Sequence, residues 1–170
     1  MRARKATVSD SEAIDRLIGC YAEQGFLLPR TTAEIRGNID NFLVLQEKGK
    51  LISCVALESY DADLGEIRSL AVTSEARGRG VGSQMIDFAL REARRRGVAR
   101  VFALTHAPDF FLRHGFDAVP RESLAEKIER DCRSCPKNGA CKLVAVIATV
   151  IPDLVALPIP GDPVTLAPDT

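Results

Sequence analysis

Three alternating glycines sit among arginines in "EARGRGVGSQMIDFALREARRRG", residues 75–97, directly ahead of an amphipathic pattern. A strand, a glycine-rich turn and a helix, in that order, present free backbone N–H groups and the positive helix end to an anion. Glycine suits the turn because a Cβ would hold the backbone away from phosphate oxygens, and because tight turns often need positive φ. The stretch fails the Walker pattern, since no Lys-Ser/Thr follows the last glycine. It also departs from G-x-G-x-x-G, because Ser83 stands where the third glycine would fall. A phosphate cradle, a nucleic-acid contact and a basic surface turn are the three readings these residues allow.

The charge balance narrows them. Lys plus Arg and Asp plus Glu both total 23, so no global charge draws the chain to nucleic acid or to a membrane surface. The basic character of residues 77–96 is local and asks for a local ligand. A chain of 170 residues, 46% hydrophobic and 27% charged, has the profile of one soluble globular domain. No apolar run reaches the ~18 residues of a membrane span, and "MRARKATVSD" has positive charge without the apolar stretch of a signal peptide. Five cysteines, an odd count without secretory context, point to reduced thiols and a cytoplasmic location.

The elements that would position these residues alternate. "RARKATV" reads as a strand, and Ser9 or Asp10 caps a helix whose Ile14, Leu17, Ile18 and Tyr21 share a face and which Gly25 ends. A weaker helix follows, capped by Thr31 or Thr32. "NFLVLQEKGKLISCVALESY" reads as a hairpin about Lys-Gly, and "GEIRSLAV" as the strand that feeds the glycine loop. Met85, Ile86, Ala89 and Ala93 share one helical face that stops at Gly97. "VARVFALT" is a strand, "PDFFLRHG" a short helix and "FDAV" a strand; "RESLAEKIERDC" reads as a helix and "CKLVAVIATV" as the closing strand. The alternation predicts an α/β or α+β domain over residues 1–151. Residues 152–170 hold five of the nine prolines and no Lys or Arg, the composition of an extended or disordered tail.

Arg77-Gly78-Arg79-Gly80-Val81-Gly82 matches R-x-x-G-x-G, and "LAVTSEARGRGVG" resembles the strand-loop-helix of the GNAT acyltransferases. The resemblance spans residues 1 to about 150. It implies the GNAT fold, a mixed splayed central sheet flanked by helices, with acetyl-CoA as co-substrate in the gap. In that family the loop, here Arg77 to Ser83, cradles the pyrophosphate, and the strand segment Leu70, Ala71 and Val72 pairs with the pantetheine arm. A backbone N–H near Leu70 would stabilise the oxyanion of the thioester carbonyl.

An α-ammonium acceptor must lose a proton before it attacks, so a base is needed. Glu66 is the candidate, because a carboxylate is unusual in a core strand. Its alternative is a structural pairing with Arg68 on the same strand face. Many GNAT enzymes carry a Tyr acid four residues before the Gly-Phe that follows the short helix. Here that place is Phe111, which has no proton to give. This departure resembles the acetyltransferase domain of N-acetylglutamate synthases, in which a Ser or Thr at the end of the preceding strand is the acid; Thr105 holds that place, with capping of the next helix as its alternative. "EIRSLAV", "VFALT" and "LLPRTTAEI" resemble further motifs of the same domain, and Arg30 in the last matches an arginine that binds a substrate carboxylate. Arg133 is the second carboxylate candidate, with Arg68 and Lys137 behind it.

The resemblance thus implies transfer of an acetyl group to the α-amine of an amino acid, foremost L-glutamate, as in the first step of arginine biosynthesis. The alternatives are a GNAT enzyme for another small amine or peptide N-terminus, and a non-catalytic acyl-CoA-binding module. No amino-acid-kinase-like segment precedes the domain, so a standalone synthase is expected, without the usual route of arginine feedback. A homodimer is the one macromolecular partner the resemblance allows. Cys132, Cys135 and Cys141 form C-x2-C-P-x4-C, one ligand short of a zinc site, and no metal is expected. Cys20 and Cys54 read as core thiols, His114 as a partner of a helix C-terminus, and His106 as a residue near the cleft.

Overall fold

The structure, a computed structural model, describes residues 1–135 and 141–150. The tail expected at residues 152–170 and Lys137 lie outside the described residues. Among the described residues seven strands form one sheet: β1 (Arg2–Lys5), β2 (Phe42–Glu47), β3 (Lys50–Ser59), β4 (Leu64–Val72), β5 (Arg100–Thr105), β6 (Asp117–Val119) and β7 (Val144–Thr149). Their order is β1-β2-β3-β4-β5-β7-β6. All neighbours are antiparallel except β4 and β5, which run parallel and pair only where Leu64, Gly65 and Glu66 meet Arg100, Val101 and Phe102. The mixed sheet expected from the resemblance is present, and its single parallel junction is short.

Helices cover both faces because the strands alternate apolar residues to both sides. On one face α1 (Ser11–Glu23) and α2 (Thr32–Gly37) bury Ile14, Leu17, Ile18 and Ile35 against Phe42, Val44 and Ala56. On the other, α3 (Val81–Arg95) packs Val81, Met85, Ile86, Ala89 and Ala93 on Leu43, Leu45, Val55 and Leu57, joined by Phe111 of α4 (Pro108–Leu112). Truncating one of these fully buried side chains to Ala typically costs about 2–5 kcal/mol.

Local signals set the ends of these elements. The Asp10 carboxylate accepts from the Thr7 N–H at 2.8 Å and from both Arg4 terminal nitrogens at 2.7 and 2.9 Å, which ties β1 to the start of α1. Of the two threonines ahead of α2, Thr31 makes the cap: its Oγ1 accepts from Glu34 N at 3.1 Å, and Glu34 Oε2 accepts from Thr31 N at 2.9 Å. Lys48 and Gly49 turn the β2–β3 hairpin with φ of 49° and 78°, the paired left-handed geometry that matches strand twist.

One expectation is corrected. "RESLAEKIERDC" is not a continuous helix: a 3-10 turn over Arg121–Ser123 precedes the single turn α5 (Ala125–Lys127), and a π turn follows over Ile128–Cys132. Leu124 stands between the first two at φ −101° and ψ 59°. Its buried side chain packs with Leu64, Phe102 and Ala145, and that burial interrupts the helix.

Candidate active site

The glycine loop follows β4 as a 3-10 turn (Ser74–Ala76) and four turn residues. Gly78 and Gly80 have φ of 73° and 75°, a region L side chains rarely adopt, and Gly80 is the N-cap of α3. The first intrahelical bond runs from Gln84 N to Gly80 O at 3.1 Å, so the amides of Val81, Gly82 and Ser83 come before it at the positive end of a 15-residue helix. A Cβ on Gly82 would meet Phe110 Cζ at 3.3 Å, which holds the helix start against α4. Arg77 donates to the Tyr21 hydroxyl at 2.8 Å and stacks over its ring, and Arg79 forms a forked pair with Glu47 at 2.6 and 3.0 Å. These residues fit a diphosphate: backbone donors at the helix start, with two guanidiniums on partners that an anion could draw on.

Beside the loop the sheet opens. Past Glu66 and Phe102 no rung joins β4 to β5, and a cavity of about 380 Å3 lies between Ile67–Leu70 of one and Ala103–Thr105 of the other. Ser69 has φ 53°, and the β3–β4 register slips between Cys54 and Ala56, so β4 bulges there and turns its backbone toward the gap. Leu70 lines this gap; Ala71 O accepts from Ser53 Oγ of β3 at 2.7 Å, and Val72 O from the Tyr21 hydroxyl of α1 at 2.5 Å. Thr105 also lines it, and its Oγ1 accepts from Ala107 N at 2.9 Å, the local turn ahead of α4. Phe111 is buried, and His114 Nδ1 lies 2.7 Å from Phe110 O at the end of α4.

A second cavity of about 450 Å3 adjoins the first through Ile67, Arg68, Ser69 and His106, which line both. Glu66 forms part of its wall. The strand that carries it is interior to the sheet, and the residue is 3% exposed. Among the described residues its contacts all end on Oε2: the Tyr60 hydroxyl at 2.8 Å, Lys127 Nζ at 3.1 Å and Arg68 Nε at 3.6 Å. Lys127 is 6% exposed and also donates to Asp131 at 2.9 Å, and the Tyr60 hydroxyl bonds Asp131 as well. Burial, and then the Glu66 and Asp131 charges, push the Tyr60 hydroxyl well above the usual phenol range, so it keeps its proton. A buried lysine is tolerable only when paired, and two carboxylates and a phenol supply that pairing.

Arg30 and Arg68 line the cavity together and share Glu58, at 3.6 and 2.6 Å. Burial and the nearby Arg68 charge hold the Arg30 guanidinium below its ordinary value, whereas Glu66 and Glu58 overcome burial to raise Arg68. Arg133 is exposed, its N–H donates to Ile128 O at 3.1 Å, and it is not among the residues that line the cavity, whose wall includes Arg121, Lys127 and Lys142. Tyr60, Lys127, Asp131 and Arg121 are site residues that sequence reasoning missed. The one signal for them was the i,i+4 spacing of Lys127 and Asp131, which marks a shared side but not what that side faces. Among the described residues no group of three or more His, Cys, Asp or Glu is arranged to hold a metal ion, and no helix is long and apolar enough to cross a membrane.

Comparison with known proteins agrees with this arrangement. Residues 12–116 match the model of the acetyltransferase (GNAT) family. The chain is 39% identical over 147 residues to an uncharacterized N-acetyltransferase of Chlorobaculum tepidum, covering 86% of this chain and 95% of that one. It is 36% identical over 135 residues to an amino-acid acetyltransferase of Mycobacterium tuberculosis, covering 77% of each. Among solved structures it superposes with a TM-score of 0.80 and 30% identity on N-acetylglutamate synthase of Neisseria gonorrhoeae in complex with coenzyme A and N-acetyl-glutamate. That match covers 88% of this chain but 35% of the synthase. With the loop, the open junction and these relatives in view, the chain belongs to the GNAT acetyltransferase family.

Proposed function

We propose that this protein transfers the acetyl group of acetyl-CoA to the α-amine of an acidic amino acid, foremost L-glutamate. One observation carries the reading: the cavity beside the sheet opening is walled by five cationic side chains, Arg30, Arg68, Arg121, Lys127 and Lys142, against two carboxylates, Glu66 and Asp131. An amino acid with two carboxylates satisfies such a wall, and a polyamine does not. The relatives support the same class, since one is an amino-acid acetyltransferase and another is a synthase complexed with N-acetyl-glutamate.

The residues divide the work. The amides of residues 78–83 and the guanidiniums of Arg77 and Arg79 grip the diphosphate of the donor, and the β4 edge from Leu70 to Val72 guides its pantetheine arm. The acyl carbon then lies at the parallel junction, where a backbone N–H near Leu70 takes up the developing oxyanion. Arg30 and Arg68 hold the acceptor carboxylates, with Arg121 and Lys142 at the far wall in the role first assigned to Arg133. The Glu66 carboxylate takes the proton from the α-ammonium directly or through a water. The amine attacks the thioester carbonyl, the C–S bond breaks, and Thr105 or water returns a proton to the departing thiolate.

The test is an acceptor panel with acetyl-CoA, followed by release of free thiol. Glutamate is expected to turn over at least about tenfold better in kcat/KM than glutamine, aspartate or spermidine. Equal rates for glutamate and any of these would overturn the assignment.

A further inference from the structure

Three of the five cysteines, Cys132, Cys135 and Cys141, line the acceptor cavity, and the proposed acetyl transfer uses none of them. The other two differ in surroundings. Cys20 is exposed on α1, and Cys54 is buried in the core under α1, where burial drives its thiol up to about 12. Cys132 and Cys135 are the two ends of a tight turn, closed by Cys135 N donating to Cys132 O at 3.2 Å. The ends of a four-residue turn lie within about 7 Å at Cα, and a disulfide spans about 4.4–6.8 Å. The turn therefore brings the pair into the range a disulfide spans, and closing the bond draws on the turn itself.

Access and charge are arranged for exchange. Both line the cavity wall, Cys135 half-buried and reachable from solvent and Cys132 buried. Arg121 Nη2 sits 3.9 Å from Cys132 Sγ, which places positive charge where a sulfur anion must form. Burial pulls that guanidinium down, and the sulfurs of Cys132 and Cys141 more than offset it. With three thiols and no fourth ligand among the described residues, the cluster suits sulfur–sulfur chemistry better than a metal.

We infer that Cys132 and Cys135 form a reversible disulfide by exchange with a small-molecule disulfide, and that this bond tunes the acceptor cavity. The Cys135 thiolate attacks one sulfur of the small disulfide, breaking its S–S bond and releasing one thiolate. Cys132 then attacks Cys135 Sγ in the mixed disulfide and expels the second. Two protein thiols are oxidised by two electrons, the small disulfide is reduced to two thiols, and the protons of the protein thiols pass to the released pair. Cys132 directly follows Asp131 in the π turn, so the new bond pulls on the turn that brings Lys127 and Asp131 to Glu66. Acceptor binding weakens, while the donor loop on the other side of the opening is untouched.

The experiment equilibrates the full chain in glutathione buffers from fully reduced to fully oxidised, followed by alkylation and peptide mass mapping. A peptide lighter by two hydrogens, with Cys132 bonded to Cys135, is expected; it is restored by dithiothreitol, lost in C135S and kept in C20S and C141S. Thiols that stay alkylatable in oxidised glutathione, a bond from Cys132 to Cys141 instead, or one equivalent of zinc on the purified protein would each overturn the inference. The second readout rests on the proposed amino-acid acceptor. Oxidation is expected to raise the acceptor KM about threefold or more while the Kd for acetyl-CoA stays within about twofold; an unmoved KM refutes the tuning. Failure of every acceptor on the panel would strike the proposed function alone, because the mass map decides the disulfide without turnover.

Discussion

The two halves of the site are built by different means. On the proposed donor side a contiguous run, residues 77–83, offers its backbone: left-handed glycines at 78 and 80, then the first amides of α3. On the acceptor side isolated side chains from separate segments meet: Arg30 ahead of α2, Tyr60 after β3, Glu66 and Arg68 in β4, Lys127 and Asp131 in the irregular turns before β7. Backbone recognition suits a ligand portion common to a whole family. Side chains gathered from distant segments can be exchanged one at a time, which is where the proposed function places acceptor choice.

Substitutions can break this contrast from either end. The largest effect is expected from Glu66→Gln, which keeps shape but removes the base: kcat falls about 10²-fold or more at neutral pH, with the Kd for acetyl-CoA unchanged by calorimetry. An intact kcat would reduce Glu66 to a structural partner of Lys127 and Arg68. Next comes Gly80→Val on the donor side. A Cβ there meets nothing within 4 Å, so crowding is not the cause; φ of 75° is closed to a branched residue, and the cap of α3 must rotate its amides away. The KM for acetyl-CoA is expected to rise about tenfold with little change in the acceptor KM, a loss of about 1.4 kcal/mol of binding. An unchanged donor KM would contradict the cradle.

The smallest effect on activity lies outside both halves and calibrates them. Burial pushes the Glu92 carboxyl up, but hydrogen bonds from Arg95, Arg96 and Lys5 overcome it and bring it to about 2, from an ordinary 4.5. A lowered folded value means that its stabilisation is complete above about pH 4.5 and drains away as the pH falls toward 2. Glu92→Gln should therefore lower the stability measured by urea unfolding by about 2 kcal/mol near neutral pH, and the gap to the parent should close in acid. A pH-independent gap would assign the loss to packing. Activity per folded molecule should not change, in contrast to the two variants above.

Legibility in the sequence followed the same division. The glycine loop, the hairpin at Lys48-Gly49 and the apolar face of α3 could be read because each rests on local chemistry at fixed spacing. Glu66 and Arg30 stood out as a charge in an apolar strand and a motif arginine. Lys127, Asp131 and Tyr60 did not, since the contacts that make them notable cross 61 residues from Lys127 to Glu66 and 71 from Tyr60 to Asp131. Nothing local marked the break at Leu124, where a core contact overrides a sound helical pattern. Arg133 illustrates the converse, a charge of the right type in the right region that is exposed and does not line the cavity.

The three rungs that join β4 to β5 have a mechanical consequence. They make the sheet two panels sharing a thin seam, with the neighbours on either side, β3–β4 and β5–β7, far more extensively zipped. A thioester donor lodged in that seam, as proposed, would act as mortar between the two panels. Occupancy at one hundred times its Kd would stiffen the fold by about 2.7 kcal/mol, and the joint with the fewest rungs would be the one so reinforced.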